Sequence, residues 1–267
     1  MVIDDANVYF SSSSSVIAIT KSGALLGSFT TANGQVVQAL AVDANYVYAT
    51  DDNGGIQKLT KTAASVALLR SAAGEASFGI ASYGGSLFWS VYGSGWMDKS
   101  QTDGSSFAIE YSVPPQTNWH PMRVAADASG VYWTEYGANG RIMKSDLSFM
   151  NVAPLLSGHS YPVDIALDAN NVYWINQGSN AIGKASKDGL SWQILTSVSL
   201  PPSGLAVDAN YVYFGNAGAV SRVPVAGGSW VNIASSSVTP AEIAVDAQAI
   251  YWTNNNSGAG TVMKLAK

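Results

Sequence analysis

The feature that most constrains this chain is a phrase that recurs along its whole length. It reads VIDDANVYF at 2–10, LAVDANYVYA at 40–49, IASYGGSLFW at 80–89, VAADASGVYW at 124–133, IALDANNVYW at 165–174, LAVDANYVYF at 205–214 and IAVDAQAIYW at 243–252. Taking Asp4, Asp43, Tyr83, Asp127, Asp168, Asp208 and Asp246 as equivalents, the steps are 39, 40, 44, 41, 40 and 38 residues. A period of about 40 residues is that of a four-stranded propeller blade.

Each unit parses alike. An apolar strand A runs into an Asp-Ala-Asn turn, whose short polar side chains can bond their own backbone. Strand B alternates aromatic and β-branched residues, as a half-buried pleated surface requires. Strand C follows (IQKLT, WMDKS, RIMKS, IGKAS, VSRVP, VMKLA), and a Lys-Asp-Gly type turn leads to strand D. Seven copies of strands A, B and C accompany six of strand D. The expectation is therefore an all-β, seven-bladed β-propeller of antiparallel four-stranded blades with the last blade incomplete, six blades being the alternative. Read as one domain over 1–267, the blades fall at about 1–39, 40–79, 80–123, 124–164, 165–204, 205–242 and 243–267.

The repeat carries further wording: Pro202-Ser-Gly-Leu-Ala-Val-Asp208, Tyr132-Trp-Thr-Glu135 and Tyr251-Trp-Thr-Asn254. In these residues the chain resembles the YWTD repeats of low-density-lipoprotein-receptor propellers and the related NHL repeats. The resemblance implies the fold and leaves the activity open, because the shared residues pack and turn. Receptor propellers of that type have six blades, so a seventh unit is closer to bacterial seven-bladed relatives. Streptogramin lyases are among these; their His and metal-binding acids find no motif here to carry over.

Bulk properties narrow the functions. A net charge of -5 and only 12% charged residues argue against a nucleic-acid or anionic-membrane surface, which needs clustered Lys and Arg. No apolar run approaches the ~18 residues that span a bilayer, so membrane insertion is not expected. The start, MVIDDANVYF, lacks a basic and then apolar leader; a mature exported form, secreted or periplasmic, or a domain cut from a longer chain is the expectation. Zero cysteines exclude disulfides and thiol chemistry.

In a repeat protein, recurring residues serve stability and departures from the repeat mark function. The repeated Asp, the strand C cations (Lys58, Lys99, Lys144, Lys184, Arg222, Lys264) and the strand B aromatics are therefore assigned to turns, blade pairing and packing. Departures gather on the D-to-A connections and B-to-C loops, which in a propeller emerge together at the channel mouth. There QTNWHPMR and SGHSYPVD add the only two histidines of the chain. The candidate ligand site comprises Tyr92, Trp119, His120, Arg123, Glu135, Tyr136, His159, Tyr161, Asp164 and Glu242. Trp96 is a further candidate platform, and the serine run Ser11–Ser15 is expected to be a flexible loop.

Aromatic walls with a few convergent polar groups suit a ligand pocket. The reading is a non-catalytic module holding a carbohydrate, peptide or small molecule, without cofactor or metal. The alternative is a lyase or hydrolase with His120 or His159 as base and Glu135, Asp164 or Glu242 as acid or metal ligand. Nothing in the sequence sets the oligomeric state.

Overall fold

The structure, a computed structural model, describes all residues except 32–33, 72–73, 115–116, 236–237, 239 and 256–259. It is an all-β, seven-bladed β-propeller: six four-stranded sheets and a last one of three strands, with neighbouring strands following one another in the chain. By chain contacts it forms two compact units, Met1–Trp133 with Lys144–Val152, and Thr134–Met143 with Ala153–Lys267.

In the first unit, blade one is β1 (Val2–Ile3), β2 (Asn7–Ser12), β3 (Ser15–Thr20) and β4 (Leu25–Thr30). Blade two is β5 (Val37–Val42), β6 (Tyr46–Asp51), β7 (Ile56–Thr60) and β8 (Ser65–Arg70). Blade three is β9 (Gly79–Tyr83), β10 (Ser86–Val91), β11 (Trp96–Gln101) and β12 (Ala108–Ser112). Blade four, whose strands are shared by the two units, is β13 (His120–Asp127), β14 (Gly130–Tyr136), β15 (Gly140–Ser145) and β16 (Ala153–His159). The second unit continues with β17 (Pro162–Leu167), β18 (Asn171–Asn176), β19 (Ala181–Ser186) and β20 (Trp192–Ser197), then β21 (Ser203–Val207), β22 (Tyr211–Asn216), β23 (Ala219–Pro224) and β24 (Val231–Ser235). Blade seven is β25 (Pro240–Val245), β26 (Ala249–Asn254) and β27 (Thr261–Ala266). No helix among the described residues is long and apolar enough to cross a membrane.

The repeated aspartate performs two tasks. Asp43 Oδ1 accepts the amides of Asn45 and Tyr46, both at 2.7 Å, while Oδ2 accepts the Tyr48 hydroxyl at 2.8 Å. Asp4 with Tyr9, Asp168 with Tyr173, Asp208 with Tyr213 and Asp246 with Tyr251 repeat the arrangement. One carboxylate thus closes the turn and anchors a buried ring, so burial and the neighbouring anion both push the Tyr48, Tyr173 and Tyr213 hydroxyls up. Blade three has Tyr83 in place of the acid, and there Gly84 and Gly85 make the two-residue turn with φ of 59° and 81°. Positive φ at both central residues is what such a hairpin turn needs.

Cohesion lies between blades. One buried cluster joins Tyr9 and Val16 of blade one to Leu40, Val47 and Leu59 of blade two. Another joins Tyr48 and Ile56 to Leu87 and Trp89, and in the second unit Ile175 and Ile182 meet Leu205, Val212 and Phe214. The strand C cations reach the next blade: Lys58 Nζ donates to Thr102 O at 3.1 Å, Lys99 to Leu147 O at 2.8 Å and Lys184 to Val225 O at 2.9 Å. Each of these ammonium groups also lies over a strand B ring, Lys58 at 3.9 Å from the Tyr46 centroid.

Two sequence expectations change. The serine run forms no loose loop: β2 extends to Ser12 and β3 begins at Ser15, leaving a two-residue turn with Ser13 at φ 53°. Strands A start earlier than the apolar pattern suggests, so His120, Arg123, Asp164 and Glu242 lie on strands and not on the D-to-A connections. On β17 and β25 a register shift lies near the strand start, between Pro162 and Asp164 and between Pro240 and Glu242. An extra residue there breaks the two-residue alternation of the strand.

Candidate functional site

In the first unit the inner strands of blades two, three and four pack closely. A Cβ on Gly79 would lie 2.8 Å from Arg123 Cα, so only glycine admits β13 there. This approach carries Arg123 across two blades: Nη1 donates to Phe78 O at 3.0 Å and to Gln38 O at 3.5 Å. Arg123 is thereby tied to carbonyls near the start of the neighbouring inner strands.

Beside it stands a file of rings. Phe78 meets Tyr92 edge-on, with centroids 5.1 Å apart at 81°, and Tyr92 stacks on His120 at 4.3 Å and 21°. His120 Nδ1 lies 2.9 Å from Tyr92 O. A carbonyl only accepts, so Nδ1 carries the proton and, in the neutral ring, Nε2 presents a lone pair. Trp119, just before His120, is half-buried, as are Tyr92 and His120 themselves. Three of the sequence candidates, Tyr92, His120 and Arg123, are thus joined through Phe78, a residue that sequence reasoning passed over. Its signal was position alone, since it precedes the Gly79 that fixes the close approach.

The candidates of the second unit are arranged otherwise. Glu135, on β14, is fully buried and paired with Arg141 of β15, whose Nε donates at 2.6 Å. Next along the strand, Tyr136 packs on Tyr161 at 4.9 Å. Tyr161 holds a left-handed backbone, φ 51°, and its amide donates to Gly137 O at 2.8 Å. Asp164 Oδ1 accepts the next amide, Ile165 N, at 2.9 Å, and the Glu242 amide donates to Thr253 Oγ1 at 3.2 Å.

His159 departs from expectation. It is the last residue of the outer strand β16, with 6% exposure, wedged edge-on against Trp174 at 4.9 Å and Trp192 at 5.6 Å. Burial there lowers its pKa, so the ring is neutral near pH 7. The imidazole packs against the blade-five tryptophans instead of facing solvent beside Tyr161. Trp96 likewise leans on the apolar layer between blades two and three.

One ionic pair was not legible in the sequence. Asp98, on β11, is 0% exposed and forms an ion pair with Arg70 at the end of β8. Burial raises the Asp98 carboxyl to about 6, although Arg70 and the Trp89 indole favour its charged form. The hint is its place just before the strand C cation, where sister blades carry the uncharged Gln57, Met143, Gly183, Ser221 and Met263. Among the described residues no three His, Cys, Asp or Glu side chains converge as a metal site would require.

No protein-family model matches the chain, and no curated protein matches it. Solved structures do. A hydrazine synthase from Kuenenia stuttgartiensis aligns with a TM-score of 0.79 at 14% identity, over 98% of this chain and 93% of that one. A gluconolactonase from Xanthomonas campestris gives 0.67 at 15% identity over 87% and 86%, and a chain of a nidogen/laminin complex gives 0.66 at 17% over 88% and 92%. At such identities the likeness is one of fold.

Proposed function

We propose that this chain is a non-catalytic binding propeller that holds a ring-bearing ligand, a carbohydrate, a peptide aromatic or a small molecule, against Tyr92 and His120. The observation that carries the reading is the Tyr92–His120 stack, with the His120 tautomer fixed by the Tyr92 carbonyl. A stacked pair of half-buried rings offers a flat apolar surface, and His120 Nε2, without a partner among the described residues, adds one acceptor at its edge. Arg123 and Phe78 hold that wall in place.

The reading as a lyase or hydrolase has less support. A general base needs a group that orients it toward the reacting proton and a second group for the leaving atom. Of the residues considered for those roles, Glu135 is bound to Arg141 and His159 is buried under Trp192. The nidogen/laminin and gluconolactonase structures stand on opposite sides of this choice by their names, and their shared fold favours neither.

The test is a saturation-transfer NMR screen of neutral and acidic monosaccharides and aromatic peptides, followed by calorimetry on Tyr92→Ala and His120→Ala. The expected result is a ligand whose affinity falls at least ~10-fold in Tyr92→Ala, about 1.4 kcal/mol, with no turnover product. A ligand held equally by both variants, or one consumed with a dependence on His120, overturns the reading.

A further inference from the structure

A groove lies between blades two and three, lined by none of the residues of the Tyr92–His120 wall. It is a cavity of ≈ 220 Å³ walled by Ile56, Leu69, Arg70, Trp89, Ser100 and Phe107. One wall is aromatic: the Trp89 and Phe107 rings lie nearly parallel, 26° apart with centroids at 6.0 Å, and Phe107 is 46% exposed. An exposed phenyl standing over an otherwise buried indole leaves a flat apolar surface open to solvent.

The polar groups of this groove are few and specific. Arg70 spends Nη1 on Asp98, and its guanidinium lies 4.3 Å over Phe107. Among the described residues its remaining N–H donors have no other hydrogen-bond partner. The charge of Arg70 is already balanced by Asp98, so the pocket is electrically neutral as a whole and favours a carbonyl over a second carboxylate. Ser100 donates its own proton to Gln101 O at 3.0 Å, which leaves its oxygen as an acceptor. The groove therefore combines a donor, an acceptor and a flat ring surface.

We infer that this groove binds a small planar aromatic carboxamide, whose carbonyl accepts from Arg70, whose amide N–H donates to Ser100 Oγ, and whose ring packs on Phe107 and Trp89. At ≈ 220 Å³ the cavity lies below the ~300 Å³ at which pockets for drug-sized ligands begin, a size suited to a single ring with its amide group.

The experiment titrates the intact protein with benzamide at pH 8, where Asp98 is ionised, following tryptophan fluorescence and line broadening of the ligand NMR signals. Cyclohexanecarboxamide and benzoate serve as comparison probes. Expected are saturable benzamide binding, at least ~10-fold weaker binding in Phe107→Ala, and weaker binding of both comparison probes. Arg70→Leu with Asp98→Asn removes the ion pair as a unit, which leaves no buried lone charge, and abolishes the preference for benzamide over hydrocarbons of similar size such as toluene. Absence of saturation to the solubility limit, or unchanged affinity in Phe107→Ala, overturns the assignment, as does benzoate binding more tightly than benzamide.

Discussion

Gly79 illustrates what a single residue decides. The place where its side chain would be is filled by the backbone of β13, within 2.8 Å of Arg123 Cα. Gly204 repeats the situation in the second unit at φ 54°, with Ala241 O at 2.9 Å. Gly79→Ala is expected to cost about 1–3 kcal/mol by overpacking, read as a lowered urea midpoint at unchanged slope. Gly204→Ala carries an added backbone penalty, because a Cβ is disfavoured at positive φ. Tyr48→Phe keeps the packing and removes the hydroxyl with its bonds to Asp43 Oδ2 and the Thr102 side chain, so a loss of about 1–2 kcal/mol is expected in the same assay.

Titration gives opposite signs at two kinds of aspartate. Burial alone would raise Asp4 and Asp208, but Lys61 and Lys267 with the turn amides bring both to about 2, below 3.8. Their folded-state pKa is depressed, so the stability they contribute is present above about pH 4 and lost as pH falls toward 2. Asp98 is raised to about 6, so the folded state holds its proton more tightly than the unfolded chain and stability declines as pH rises from about 4 to 6. Urea midpoints measured across pH 2–8 are expected to pass through a maximum near pH 4, and Asp98→Asn is expected to flatten the limb above it. A limb unchanged in Asp98→Asn contradicts the assignment. The turn aspartates were legible in the sequence because the amides and the tyrosine hydroxyl they bind lie within five residues; Asp98 was not, because Arg70 is 28 residues away in another blade.

At the level of elements, the alternation of strand B and the local Asp turn placed the four-strand unit correctly. Bounds of strand A were missed, because the register shift at its start interrupts the two-residue period. The placement of His159 was missed for a related reason: the outer strand β16 continues to it, and Trp192, which covers it, stands on β20. Trp192 is 55% exposed, and Trp192→Ala is expected to raise the His159 pKa toward 6.5 by admitting water, seen in the pH dependence of its ring proton shifts. The last blade makes a different prediction. Among the described residues β27 pairs with β26 alone, so every second amide on it is without a strand partner there. Hydrogen exchange is expected to be faster in β27 than in β23, its counterpart in blade six, which is paired on both sides. Equal protection contradicts that picture.

For the molecule as a whole, the count of seven blades, the three-stranded last one included, followed from the period and is what the structure has. The candidate wall was less legible, because its members come from different blades and converge through strand packing that no spacing records. Phe78, Tyr92, His120 and Arg123 form one connected wall in the first unit, built where the repeat is broken. The most direct test of the account is amide and side-chain NMR mapping of a ligand found by the screen. Shifts centred on Tyr92 and His120, and lost in Tyr92→Ala, are the predicted result; shifts centred on the repeated aspartate turns, with Tyr92 and His120 undisturbed, would contradict it.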